Sequence, residues 1–266
     1  DDFQEGTTYC MPVSIERIEN SGLAVLEPSR TLFIVLKTPV ISKAIYLGSS
    51  NIYKVPSFQE DANLAALKAI TLEARVYMDG FQNYDPYISS IMGIEGESGV
   101  RFGDVKVPKN VLQICHGDYQ PAATSKPFDT GKWYHVAVAF NKGNVKVYIN
   151  GVEKLSGSTG KSSVSLGAKH TNEEDGSRCF WVGYSYKDDR YFDGVVSEVR
   201  IWNRALTAEE IQATNHFYTI EPESEGLIAY WKFDEGSGTV AKDCSVSGYD
   251  LTIEKEPKWE SVSLPQ

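Results

Sequence analysis

The patterning of this chain predicts an all-β protein, an antiparallel β-sandwich of jelly-roll type with one short helix towards its C-terminal side. Two observations carry that expectation. Apolar residues alternate with a period of two in run after run, and strand centres recur about every ten residues with turn signals between them. A third observation fixes the centre of the fold. The stretch GKWYHVAVAFNKGNVKVYINGVEK, residues 131–154, reads as two strands joined by a tight turn. Tyr134, Val136, Val138 and Phe140 fall on one face of its first strand, and Trp133, His135, Ala137 and Ala139 on the other. A strand apolar on both faces belongs between layers rather than at a solvated edge. The return strand turns Val145, Val147 and Ile149 inward and Lys146, Tyr148 and Asn150 outward, and Asn150-Gly151 is a strong hairpin signal.

From the N-terminus, Met11–Ile18 and Thr31–Lys37 read as strands separated by Glu27-Pro28-Ser29. Two strands bury no core alone, so residues 1–42 are expected to be the end of an upstream strand-rich domain or an extension packed on the main body. Residues 43–215 form that expected main body. Asn63–Lys68 has helical composition over about one turn. AITLEARVYM sets Ile70, Leu72, Ala74 and Val76 against Thr71, Glu73, Arg75 and Tyr77, a half-buried strand. SSIMGIEG, GVRFGDV and VLQICHGD are three more short strands, Ser156–Gly167 is a loop with weak strands at best, and CFWVGYSY is a strong strand. In GVVSEVRIW, Val195, Ser197, Val199 and Ile201 oppose Val196, Glu198, Arg200 and Trp202. NRALTAEEIQAT then switches to helix, with Thr207 as N-cap, Glu210 in the capping-box position and Leu206 stapled to Ile211. Residues 216–266 are too few for a second domain and would leave Leu227, Ile228, Trp231 and Phe233 exposed if they stood apart. They are expected to pack back on the sandwich, the rival reading being a truncated repeat.

Several of these segments resemble one family. Trp133-x-His135 followed by alternating Val/Ala and then Val-Tyr-Ile-Asn-Gly, the entry segment AIYLGSSNIYKVPSF, and above all YFDG…EVRIWNRALT…EEI resemble laminin G-like domains of the concanavalin A-like lectin and glucanase superfamily. AITLEARVYM is similar to a characteristic strand of that family, with Arg75 where a tryptophan is usual. GLIAYWKFDEGSGTVAKDCSVSGYDLTI resembles the family's opening strands but stands after the closing helix, which implies a permuted arrangement. EGTTYCMPVSI and SRTLFIVLKT resemble the end of an uncharacterised domain that precedes laminin G-like modules in surface lipoproteins of gut Bacteroides. The resemblance implies a secreted or cell-surface protein, lipid-anchored through a segment upstream of Asp1.

Composition narrows the function. The formal net charge is −10 over 266 residues, and no Lys/Arg cluster stands out, which argues against a phosphate-backbone partner. No apolar run is long enough for a membrane span. Cys10, Cys115, Cys179 and Cys244 lack zinc-finger spacing and read as free, buried thiols rather than disulfides. The Glu-x-Asp-x-x-Glu strand of sandwich hydrolases is absent: Glu173-Glu174-Asp175 is followed by Arg178 where the last Glu is needed, and the Glu198 strand has a single carboxylate. Two carboxylates from separate strands would leave no such mark. His135, mid-strand, reads as a structural, hydrogen-bonded histidine.

Calcium is the one cofactor weighed. The family resemblance implies rim-loop sites, and Asp188, Asp189 and Asp193 share one loop, against the plainer reading of solvated carboxylates. Sugar binding needs aromatic faces beside planar polar groups. Three loop or strand-end clusters offer them: Tyr84, Asp85 and Tyr87; His116, Asp118 and Tyr119; and Tyr184, Tyr186, Arg190 and Tyr191. Each competes with tyrosines that merely cover sheet edges. The expected function is non-catalytic carbohydrate binding in a surface glycan-capture system. The alternatives are a protein-interaction or spacer module whose partner is a surface protein, and a hydrolase with an unrecognised carboxylate pair.

Overall fold

The structure is a computed structural model that describes residues 8–14, 31–37, 40–48, 53–167, 179–185, 189–253 and 255–264. The chain divides into two compact units, Asp1–Ser42 with Ser261–Gln266, and Lys43–Glu260. In the first, β1 (Thr8–Ser14) and β2 (Thr31–Lys37) pair antiparallel, with Thr8 opposite Lys37 and Ser14 opposite Thr31. Met11, Val13 and the run Leu32–Val35 stay exposed, as expected of a ribbon that is too thin to bury its own faces.

From Val40 onward the strands are β3 (Val40–Leu47), β4 (Tyr53–Val55), β5 (Ala69–Met78), β6 (Ser89–Ile94), β7 (Ser98–Asp104), β8 (Val107–Cys115), β9 (Trp133–Asn141), β10 (Asn144–Ile149), β11 (Val152–Ser158), β12 (Phe180–Val182) and β13 (Gly194–Trp202). Helix α1 (Ala208–Ile211) comes next, then β14 (Leu227–Trp231), β15 (Val240–Ala241), β16 (Leu251–Thr252) and β17 (Lys258–Leu264). They form two antiparallel sheets. One runs β11-β10-β9-β5-β13-β3-β17, with β14 also on β13. The other runs β15-β16-β4-β12-β6-β7-β8. On the side of β13 away from β5, β3 pairs with Gly194–Val196 and β14 with Val199–Trp202. The segment after α1 therefore supplies β14 to one sheet and β15 and β16 to the other.

The central strands of the first sheet, β5, β9, β13 and β14, are buried on both faces. Leu72, Val76, Val136, Val138, Phe140, Val147 and Ile201 meet Ile91, Val100, Phe102, Leu112 and Phe180 of the second sheet in the main core. On the opposite face Ala137, Ala139, Tyr148 and Trp202 pack with Leu206, Ile211, Leu227 and Tyr230 in a second cluster. The small side chains of Ala137 and Ala139 leave room for this extra layer. It corrects two expectations. Tyr148 points away from the sandwich yet is buried, and β5 is buried on both faces, with Thr71 and Glu73 fully covered. Layers beyond the nearest sheet leave no period-two signal of their own.

Strand β13 departs from simple alternation. The register slips between Ser197 and Arg200, where Glu198 adopts φ 55°. This bulge lets both Val196 and Val199 enter the main core with Ile201, in place of the expected Val195, Ser197, Val199 and Ile201 face. Asn63–Lys68 holds no α-helix, only a 3-10 turn at Ala62–Leu64 that Asp61 caps through the Asn63 amide. Residues up to Ser158 within the expected Gly/Ser loop extend β11. Helix α1 has the full expected capping box, with Thr207 and Glu210 satisfying each other's backbone amides, and Leu206 and Ile211 share the second cluster. Of the four cysteines only Cys115 and Cys179 are buried; Cys10 is exposed and Cys244 partly covered. Among the described residues no helix is long and apolar enough to cross a membrane.

Candidate functional site

A cleft of about 400 Å³ opens where the ends of β3 and β5 meet the segment leading into β13. Its walls are Tyr46, Phe81, Gln82, Asn83, Tyr84, Tyr191 and Asp193. Three backbone features build it. The Asp79 and Gly80 amides both donate to the Asp193 carbonyl, tying the end of β5 to the start of β13. Gly80 leaves room for the Asp193 carboxylate: a Cβ there would stand 2.5 Å from Oδ2, so a side chain would push the carboxylate aside. The Tyr87 amide donates to the Tyr84 carbonyl at 2.7 Å, so Tyr84 and Tyr87 flank a tight turn.

Side chains then lock the walls together. Gln82 Nε2 donates to the Asp189 carbonyl at 2.9 Å, and its backbone amide donates to Ser89 Oγ. The Tyr84 hydroxyl reaches the same Asp189 carbonyl at 3.4 Å. Lys109 donates to Asn83 Oδ1. The Tyr46 hydroxyl donates to Asp193 Oδ1 at 2.7 Å, and that hydrogen bond, then burial, raises the Tyr46 pKa above the ordinary tyrosine range. Burial, followed by the Asp189 charge, raises the pKa of Tyr84 and Tyr191. All three phenols are therefore neutral donors at physiological pH. Tyr84 is 47% exposed, leaving ring surface free at the mouth. The cleft thus combines aromatic faces with an amide-bearing floor and a fixed carboxylate, the set that sugar C–H groups and hydroxyls require.

The structure gathers only part of the sequence-predicted set here. Tyr84, Tyr191 and Asp193 line the cleft. Tyr87 is exposed on the adjoining turn, and Asp189 contributes its carbonyl rather than its carboxylate. Tyr184 lies tilted against Tyr191, with ring centroids 4.8 Å apart, and touches Trp181 edge-on. Arg190 pairs with Glu95 at 3.2 Å. Tyr186 and Asp188 lie outside the described residues, as do His170 and Glu173-Glu174-Asp175. Neither Asp189 nor Asp193 belongs to a group of three converging donors among the described residues.

The His116 cluster lies elsewhere. His116 is only 2% exposed and its ring lies beside Phe140, so it belongs to the core. Burial, and then the Lys161 charge, pushes its pKa down to about 4. His116 and Tyr119 exchange backbone hydrogen bonds across a tight turn, which leaves Asp118 exposed at its tip while Tyr119 packs against the core. Sequence reasoning did not single out Tyr46, Phe81, Gln82 and Asn83. Gln82-Asn83 stands directly before Tyr84, so an amide pair beside an aromatic was the available signal. Tyr46 had none, because its role depends on β3 lying beside β13.

A family model and one solved structure agree with the architecture. A family model described as the concanavalin A-like lectin/glucanases superfamily, of laminin G-like type, matches residues 48–212. A candidate carbohydrate-binding protein from Bacteroides ovatus is similar at 24% identity and a TM-score of 0.71, over 99% of this chain and 72% of that one. A domain of an extracellular arabinanase from Geobacillus stearothermophilus, solved with arabinotriose, matches at 22% identity and a TM-score of 0.43, over 64% of this chain and 74% of that one. A heptameric SAP-like pentraxin from Limulus polyphemus matches at 12% identity and a TM-score of 0.49, over 84% and 95% respectively. No curated protein matches the chain.

Proposed function

The chain belongs to the concanavalin A-like lectin/glucanases superfamily, and from that we propose that it is a non-catalytic carbohydrate-binding module whose site is the cleft between Tyr84 and Tyr191. One observation carries the reading: an open cleft that sets Tyr84, Tyr191 and Tyr46 beside Gln82, Asn83 and Asp193. A pyranose ring laid on Tyr84 would put its hydroxyls within reach of amide and carboxylate groups, while the phenol oxygens of Tyr46 and Tyr84, whose protons are already donated within the protein, could accept. The similar Bacteroides ovatus chain, described as a candidate carbohydrate binder, names the class of ligand to test first. We place the module in a glycan-capture system at the cell surface.

The test is a glycan array of the purified chain, run with and without calcium. Binding to a defined glycan that falls at least tenfold in both Tyr84→Ala and Tyr191→Ala supports the reading and locates the site. Dependence on calcium would assign an ion to the Asp189–Asp193 loop. A blank array overturns the proposal and favours a protein partner.

A second reading, hydrolysis, rests on one observation. Asp79 lies beside the cleft, its amide on the Asp193 carbonyl, and burial, then the Asp193 and Glu260 charges, raises its carboxyl pKa. Acid–base chemistry on a glycosidic bond uses a pair of carboxyls facing each other across a cleft, the acid of which has a raised pKa. Release of reducing sugar that stops in Asp79→Asn would favour this reading. Binding without turnover, unaffected by Asp79→Asn, would remove it.

A further inference from the structure

Unlike the open cleft, a second group of functional side chains converges under the outer layer of the first sheet. Glu73 comes from β5, His135 from β9 and His216 from the segment after α1, and all three are buried. One ligand-capable atom of each lies within 4.8 Å of the other two, the single such group among the described residues. His216 Nε2 stands 2.8 Å from Glu73 Oε1, and His135 Nε2 stands 3.3 Å from the same oxygen. We infer that Glu73, His135 and His216 form a binding site for one divalent transition-metal ion of the zinc class, which ties the segment after α1 to the sheet.

Four observations carry this assignment. The first is spacing. Metal–ligand bonds of about 2.0–2.1 Å in a tetrahedral site put neighbouring donor atoms roughly 3.3 Å apart. The His135 contact to Glu73 Oε1 already has that separation, the His216 contact would lengthen from 2.8 Å towards it, and the two histidine nitrogens lie within 4.8 Å of each other. The second is the unused coordination capacity of His135. It is 2% exposed, yet neither ring nitrogen has a hydrogen-bond partner, and its approach to Glu73 lacks hydrogen-bond alignment. A buried imidazole in that state is costly unless something else binds it. The third is outer support. Trp202 Nε1 donates to Glu73 Oε2 at 2.7 Å, leaving Oε1 to face the two histidines. Such a partner orients a metal-bound carboxylate. The fourth is ring fixation: His135 stacks on Phe217 at 4.4 Å, and the His216 ring lies parallel to Trp202.

The donor set selects the ion. Two imidazoles and one carboxylate suit zinc, cobalt or nickel, whereas calcium takes oxygen ligands. Arg200 is the nearby guanidinium, and its hydrogen bonds go to the Glu198 carboxylate and the His216 carbonyl. Those two bonds engage Nη1 and Nη2, while Arg200 Nε has no hydrogen-bond partner.

The experiment uses the tag-free full chain, stripped with a chelator and titrated with Zn2+ alone by calorimetry and with Co2+ alone by visible spectroscopy. The expected result is one equivalent of Zn2+, cobalt ligand-field bands of a low-coordinate nitrogen–oxygen site, and a thermal midpoint that rises on reloading. His216→Gln should weaken Zn2+ binding more than tenfold. Trp202→Phe, which keeps all three ligands, should weaken it about 10- to 100-fold at unchanged stoichiometry. Absence of cobalt bands and of any thermal shift in the native chain overturns the site, and that result depends on no variant folding. Binding unchanged in a folded His216→Gln chain overturns it as well. Tyr84→Ala should bind Zn2+ like the native chain, which separates this test from that of the cleft.

Discussion

The two faces of the first sheet's central strands are both buried but chemically opposite. The inner face meets the second sheet with Leu72, Val136, Val138, Phe140 and Ile201, an apolar contact throughout. The outer face, at the same depth, carries Glu73, Arg75, His135, Glu198 and Arg200 beside its apolar cluster. Apolar contacts are non-directional, so the inner face needs only volume and pattern. Charged groups out of water need partners at fixed distances. The outer face supplies them: the Glu198 carboxylate accepts from Arg200 and from the Tyr230 hydroxyl. The Arg75 guanidinium lies between the rings of Trp133 and Tyr218, at 4.2 and 4.9 Å. One face specifies that the sheets pack, the other which segment covers them and how.

Four measurements put that contrast at risk. On the inner face, Phe140→Ala should cost about 4 kcal/mol in urea unfolding, because a fully buried ring leaves a cavity that neighbouring strands close only in part. A loss below about 1 kcal/mol would mean that the core repacks freely. On the outer face, Arg200→Leu should cost about 3 kcal/mol by leaving Glu198 buried without its cation, and the double variant with Glu198→Leu should recover part of it. If the double variant is as unstable as the two losses summed, the pair is not a unit.

The third concerns pH. The unfolded chain protonates His116 near pH 6.5, whereas the folded chain resists until about 4. The neutral form is the one the fold favours, so this contribution is complete above pH 6.5 and disappears as pH falls towards 4. Native protein should lose on the order of 2–3 kcal/mol across that window, a loss that His116→Phe largely abolishes. An identical pH profile in the variant would exclude the assignment. The smallest effect belongs to the cover itself: Thr207→Ala, which removes the N-cap of α1, should cost about 1 kcal/mol by the same unfolding assay.

Legibility followed the range of the interactions. The central hairpin, β13 and the capping box at Thr207 could be read in sequence because each depends on neighbours a few residues away. Tyr84 and Tyr191 could be nominated because turn-linked aromatics are a local pattern. Nothing local says that they share a cleft, since the bridge between their loops joins Gln82 to Asp189, 107 positions apart. Tyr46 and Asp193, separated by 147 positions, left no trace of their hydrogen bond. His116 shows the converse, since its loop-like neighbours Gly117 and Asp118 concealed a ring turned into the core.

Strand content, antiparallel pairing across the turns, the amphipathic faces of the main core and the family are all written in the sequence, because they depend on backbone periodicity and local turn chemistry. The double covering of β5, the bulge of β13 at Glu198 and the meeting of Glu73, His135 and His216 come only from tertiary packing. Those outcomes depend on layers and registers set between residues as far apart as 143 positions, and the period-two pattern of a strand says which faces it has, never what will cover them.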